Sequence, residues 1–186
     1  MSFILKAKAW HIFVAIFIFP FFVLISGFVL PSYYVSTSYH FFSIPGSIVV
    51  SQLFFYLWLW AVGSKLHKRH NLNDFFNNRL FKSLIIIPVL VIIIILGYWI
   101  WGASILSMGK FSMANVLFAA LWVIMPIQFT LIISKFYCFF FAAKVIKCSE
   151  LNKNVKFDEF ITEFILIIVF PVGIWYLQPR INKLLN

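Results

Sequence analysis

Between Lys8 and Lys65 the chain carries no lysine, arginine, aspartate or glutamate. A water-soluble domain exposes charge every few residues, and about a quarter of its residues are charged. Here the charged fraction is 11% and the hydrophobic fraction 63%. The uncharged stretch is long enough for two bilayer-spanning helices and the turn between them. Three more apolar runs follow it. No segment outside these runs is long enough to fold alone, so residues 1–186 read as a single helical transmembrane domain. The fold class is all-α and polytopic.

Span one is expected at about Ala9–Leu30, broken by Pro20, which removes a backbone donor. Its apolar part exceeds the roughly 7–15 residues of a signal-peptide core, so it reads as an uncleaved span. Span two is expected at about Phe42–Gly63 and is rich in aromatic residues. Span three covers about Ser83–Leu106, with an aromatic belt of Tyr98, Trp99 and Trp101 at its far end. Span four covers about Ser112–Ser134, with a break at Pro126, and its apolar character continues through Phe136–Ala143. Between these lie two basic segments read as loops, Ser64–Lys82 and Lys144–Lys156.

The last apolar segment is open to three readings. Phe164–Pro179 is uncharged but spans only about 24 Å as a helix, against a hydrocarbon core of about 30 Å. It contains Pro171 and Gly173. It is re-entrant, interfacial or a fifth span.

Lysine and arginine fix the orientation, because they are retained on the cytoplasmic side. Lys6 and Lys8 precede span one. Lys65, Lys68, Arg69, Arg79 and Lys82 lie between spans two and three, and Lys144, Lys147, Lys153 and Lys156 follow span four. The opposite side carries only Lys110. The N-terminus and both basic segments are therefore expected in the cytoplasm. Arg180 and Lys183 pull the tail to the same side, which favours an even number of crossings.

The net charge of +10 does not imply nucleic acid as a partner, because the cations sit at the ends of apolar runs. There they meet anionic lipid head groups. Lys65, Lys68 and Arg69, with Trp175, Gln178 and Arg180 in the tail, are the candidate residues for contact with lipid or with a membrane-protein partner. Gln52 and Gln128 are a candidate intramembrane polar site; an interhelical hydrogen bond is the plainer reading.

Patterns for catalysis and metal binding are weak. His67, His70 and Asp74 would share a face of a continuous helix, but Lys68 and Arg69 lie between the histidines and oppose a cation. Glu159 and Glu163 are one helical turn apart, and four lysines just upstream make charge neutralisation their expected role. Cys138 and Cys148 form no CxxC pattern and read as a packing thiol and a loop thiol. No HExxH, GxSxG or glycine-rich phosphate loop occurs. No catalytic residue, metal or cofactor is assigned.

Three segments carry a resemblance: KAKAWHIF at Lys6–Phe13, FYCFFFAAKVIK at Phe136–Lys147, and FPVGIWYLQPRINKLL at Phe170–Leu185. They resemble small multi-pass inner-membrane proteins of Bacteroidota, over about a third of the chain. The resemblance implies a location in the bacterial inner membrane and transfers no activity. The expected role is non-enzymatic, an accessory or interaction subunit in the membrane. The alternatives are a small transporter or channel for a neutral solute, and a lipid-acting enzyme joining Glu159 and Glu163 to His67 and His70.

Overall fold

The computed structural model of the protein describes residues 2–30, 37–107, 118, 121–122 and 125–185. Regular structure among these residues is helical, with no strand. Among the described residues four helices are long and apolar enough to cross a bilayer: Ala9–Val29, Phe42–Arg69, Arg79–Gly102 and Met125–Leu151. In the last three, apolar side chains are spread around the helix rather than confined to one face. We label the elements α1 (Ser2–Lys6), α2 (Ala9–Val29), α3 (Thr37–Ala61), α4 (Arg79–Leu84), α5 (Ile86–Ser107), α6 (Met125–Leu151), α7 (Phe157–Ile168) and α8 (Phe170–Leu185).

Proline and small residues shape the spans. Pro20 cannot donate to the carbonyl of Ile16, and the break expected there takes the form of a widened π turn over Val14–Ile18. Pro88 likewise has no N–H for the carbonyl of Leu84. The Ser134 hydroxyl of α6 donates to that carbonyl at 2.6 Å, tying α6 to the α4–α5 junction. At Gly27, α2 approaches α3 so closely that a Cβ would overlap Ser43.

Two boundaries differ from the sequence reading. The helix begun by α3 does not stop at Gly63. It continues through a π turn, Val62–Leu66, and a last turn, His67–Arg69. Leu66 and His67 are buried, and that burial holds the segment helical despite its cations. The chain then reverses at Asn71, whose φ of 48° is left-handed. The second correction concerns span four. Residues 112–117 lie outside the described residues, and the described helix runs from Met125 to Leu151. Much of the basic segment expected as a loop is therefore helix. Val145, Ile146 and Cys148 are buried on its inner side, so Cys148 is a second packing thiol. The connection to α7 is short and contains left-handed Asn152.

The core is concentrated at the end of the bundle that holds the N-terminus. It includes Leu5, Trp58, Leu66, Phe81, Phe141 and Ile174. Phe81 and Phe141 stack with centroids 4.5 Å apart, and Phe170 meets Trp58 edge-on at 4.7 Å. Beyond this end, Phe28 is 71% exposed and Trp122 70% exposed. Bare aromatic surface on that scale suits a hydrocarbon surround.

The C-terminal segment is a helical hairpin. Helix α7 starts with Asp158 and Glu159 near its positive end, and the Glu159 carboxylate accepts the Lys156 N–H at 2.9 Å. The helix stops at Val169 (φ −91°, ψ 50°), two residues before Pro171, which sits comfortably in the first turn of α8. The turn thus lies slightly ahead of Pro171–Gly173. Gly173 then passes against the backbone of Leu166, where a Cβ would overlap the carbonyl. Unlike the last three spans, α7 and α8 are amphipathic. The open end of α8 returns to the N-terminal end of the bundle: Arg180 reaches Glu150 of α6, and Gln178 reaches Leu5.

Gly173→Ala is expected to destabilise the protein by about 2–3 kcal/mol through overpacking. A thermal midpoint in mild detergent measures this. Gly97→Ala, on an open face of α5, should leave the midpoint unchanged or slightly higher.

Candidate functional site

Three polar features cluster at the N-terminal end of the bundle. The first is a cleft of about 860 Å³ between α1, the end of the α3 helix and α4. Its cationic lining is Lys6, Lys65, Lys68, Arg69 and Lys82. Leu5, Trp60 and Leu185 form an apolar wall, and Ser64, His67, Asn73 and Asn78 add neutral polar groups. No described carboxylate lines it. A smaller space of about 400 Å³, lined by Asn73, Asn77, Asn78, Arg79 and Lys82, adjoins it through shared residues.

The fold builds this cleft from the helical extension beyond Gly63. The π turn carries Lys65 and the last turn carries Lys68 and Arg69, while Leu66 and His67 anchor the same segment inward. His67 is 1% exposed. Its Nε2 lies 2.8 Å from the Phe76 carbonyl and so donates to it, leaving Nδ1 to accept from the Asn78 amide at 3.4 Å. That commitment, with the reversal at Asn71, separates His67, His70 and Asp74 from any common helical face. Among the described residues no cluster of histidine, cysteine and carboxylate could hold a metal ion.

The second feature is an ion network between α6 and the hairpin. Arg180 grips Glu150 with two hydrogen bonds, Nε to Oε1 at 2.7 Å and Nη2 to Oε2 at 2.6 Å. Its Nη2 also reaches Glu163 at 2.5 Å, and Lys147 donates to the same Glu163 oxygen at 3.3 Å. Glu163 is 1% exposed. Burial works against its charged form, but Arg180 and Lys147 outweigh that and hold the carboxyl below its ordinary value of 4.5. Glu159 pairs elsewhere, with Lys153 at 2.6 Å. Among the described residues no hydrogen bond or ion pair joins either glutamate to His67 or His70.

The third feature is the buried amide of Gln178, completely shielded from solvent. The break between α1 and α2, at extended Lys8, leaves backbone carbonyls without helical partners. Gln178 Nε2 donates to Leu5 O at 2.8 Å and Ala7 O at 3.0 Å. Its Oε1 accepts from the Trp58 indole at 2.9 Å. Asn182 adds a bond to Ala7 O at 3.3 Å.

The candidate contact residues therefore divide. Lys65, Lys68 and Arg69 line the cleft, and Trp175 is exposed beside Phe13 at 5.7 Å. Gln178 is buried, and its amide is engaged by two backbone carbonyls and an indole. Arg180 is likewise engaged within the chain by two carboxylates. Gln52 and Gln128 are half-buried, and no hydrogen bond joins them. Sequence reasoning did not identify Lys6, Lys82, Glu150 and Asn78 as partners in these features. Lys6 and Lys82 could have been flagged as cations, but their convergence depends on the path of the chain after Gly63.

No protein-family model matches the chain, and neither a curated protein nor a solved structure matches it significantly.

Gln178→Leu should lower stability by about 2–3 kcal/mol, since it strands buried carbonyls and an indole N–H; thermal unfolding in detergent reads this. The Glu163 contribution has a defined pH sign. Because its value is lowered on folding, the stabilisation is complete above 4.5 and is lost as pH falls through the lowered value. Glu163→Gln should flatten the acid limb of the stability–pH curve, with a lower midpoint at neutral pH.

Proposed function

We propose that the chain is a multi-pass protein of the bacterial inner membrane with its N-terminus and cationic end in the cytoplasm. In this reading it is a non-enzymatic accessory or interaction subunit that works through contact with anionic lipid head groups and with a membrane-protein partner. The observation that carries the reading is the gathering of Lys6, Lys65, Lys68, Arg69 and Lys82 around one cleft at one end of an otherwise apolar bundle. Cations at that depth gain about 1 kcal/mol each beside an anionic leaflet, and the same asymmetry sets orientation during insertion.

The hairpin fits this orientation as a re-entrant element. Helix α7 has 12 residues, a rise of about 18 Å, against a hydrocarbon thickness of about 30 Å. Its amphipathic character favours a half-inserted position, with Glu163 and Arg180 facing the bundle near the interface. Exposed Trp175 and Tyr176 supply surface for lipid or a partner.

Topology is testable with Lys183→Cys in a Cys138→Ala/Cys148→Ala background. A membrane-impermeant maleimide should label this site in inverted vesicles and not in intact spheroplasts. Labelling from the periplasmic side would rule out the re-entrant hairpin and the cytoplasmic tail together.

A further inference from the structure

We infer that the cationic cleft is a discrete binding site for a terminal phosphate group, a phosphomonoester or pyrophosphate, carried on a lipid. The inference rests on the orientation and lipid contact proposed above and adds a ligand class to them.

Charge sets the class. Five cationic side chains line one cleft, and no described carboxylate offsets them. Among the described residues Glu150 and Glu163 pair with Arg180, and Glu159 pairs with Lys153. A phosphodiester head group brings one negative charge to this wall. A phosphomonoester brings about 1.5–2 at neutral pH, with three acceptor oxygens, and a pyrophosphate brings more. Lysine ammonium groups donate in three directions and arginine presents a fork, so the lining suits several phosphate oxygens at once.

Neutral groups narrow it further. The Ser64 hydroxyl is shielded from solvent and has no hydrogen-bond partner, yet the residue lines the cleft. A change of its χ1 rotamer would bring that unused donor to a phosphate oxygen in the cleft. Asn73 and Asn78 lie at the join with the smaller amide-lined space, which offers room for the hydroxyl-bearing part of a head group.

The apolar wall indicates the carrier. Leu5, Trp60 and Leu185 face the same cleft, and Trp60 belongs to a helix apolar enough to cross the bilayer. A soluble phosphate gains nothing from that wall, whereas an acyl or prenyl chain buries against it. The cavity is also larger than a bare phosphate needs.

The test uses the full-length protein in nanodiscs or mild detergent. Native mass spectrometry and a fluorescent-lipid titration would compare phosphatidic acid, phosphatidylglycerol and inorganic pyrophosphate. Phosphatidic acid should bind with one-to-one stoichiometry and about tenfold or more ahead of phosphatidylglycerol, given its extra charge against several cations. Lys68→Gln/Arg69→Gln, at exposed positions, should weaken it by about tenfold to thirtyfold. Lys153→Gln/Lys156→Gln, which removes the same charge outside the cleft, should leave the preference intact.

Equal binding of phosphatidic acid and phosphatidylglycerol, both sensitive to salt, would overturn the discrete site and leave the general lipid contact standing. Loss of binding to both anionic lipids would bring down that contact as well. Pyrophosphate binding as tightly as phosphatidic acid would overturn the lipid assignment in favour of a soluble ligand. A Lys68→Gln/Arg69→Gln protein with an unchanged thermal midpoint and unchanged affinity would remove the cleft from consideration.

Discussion

One side-chain amide holds together parts of the chain that the bilayer alone would leave apart. Lipid supplies no attraction between apolar helices, because acyl chains are as apolar as leucine. Association needs close packing or polar bonds made inside the bundle. Gln178 supplies the polar bonds at a fully buried position, joining the α1–α2 break, Trp58 of α3 and the C-terminal helix. In a dry surround the alternative for those groups is no partner at all, so the geometry of the N-terminal end is strongly specified. The cleft inherits that definition, since Leu5 and Leu185 of its wall lie on the two segments Gln178 ties together.

The rest of the polar design follows one rule: groups freed by an irregularity are met by a neighbour. Pro88 frees the Leu84 carbonyl, and Ser134 takes it. Glu163 enters the bundle, and Arg180 and Lys147 converge on it. Lys147, Glu150, Glu163 and Arg180 together carry no net formal charge, which is how ionisable groups are tolerated at the edge of an apolar medium. The cleft departs from the rule, because its cations converge without a described counter-charge.

The membrane class and the approximate positions of the first three spans were legible in the sequence, because absence of charge over that length has one physical explanation. The hairpin was one of several readings: length showed that Phe164–Pro179 was short, and Pro171 and Gly173 marked a turn nearby. Three things were not legible. The helix runs on past Gly63 because Leu66 and His67 are buried by residues distant in sequence, and local composition shows only the cations. Met125–Leu151 continues through its lysines because one face of that stretch packs inward. Gln178 looks in sequence like any polar residue after an aromatic anchor; its role depends on carbonyls more than 170 positions away.

That separation has a consequence for how the molecule is made. Leu5 and Ala7 leave the ribosome 173 and 171 residues before the amide that satisfies their carbonyls. At a synthesis rate of about 5–20 residues per second, the wait is on the order of ten seconds or more. During that interval those carbonyls need another partner, such as water. Only when the hairpin tucks in do these two distant segments become one seam, so this part of the bundle closes late rather than span by span.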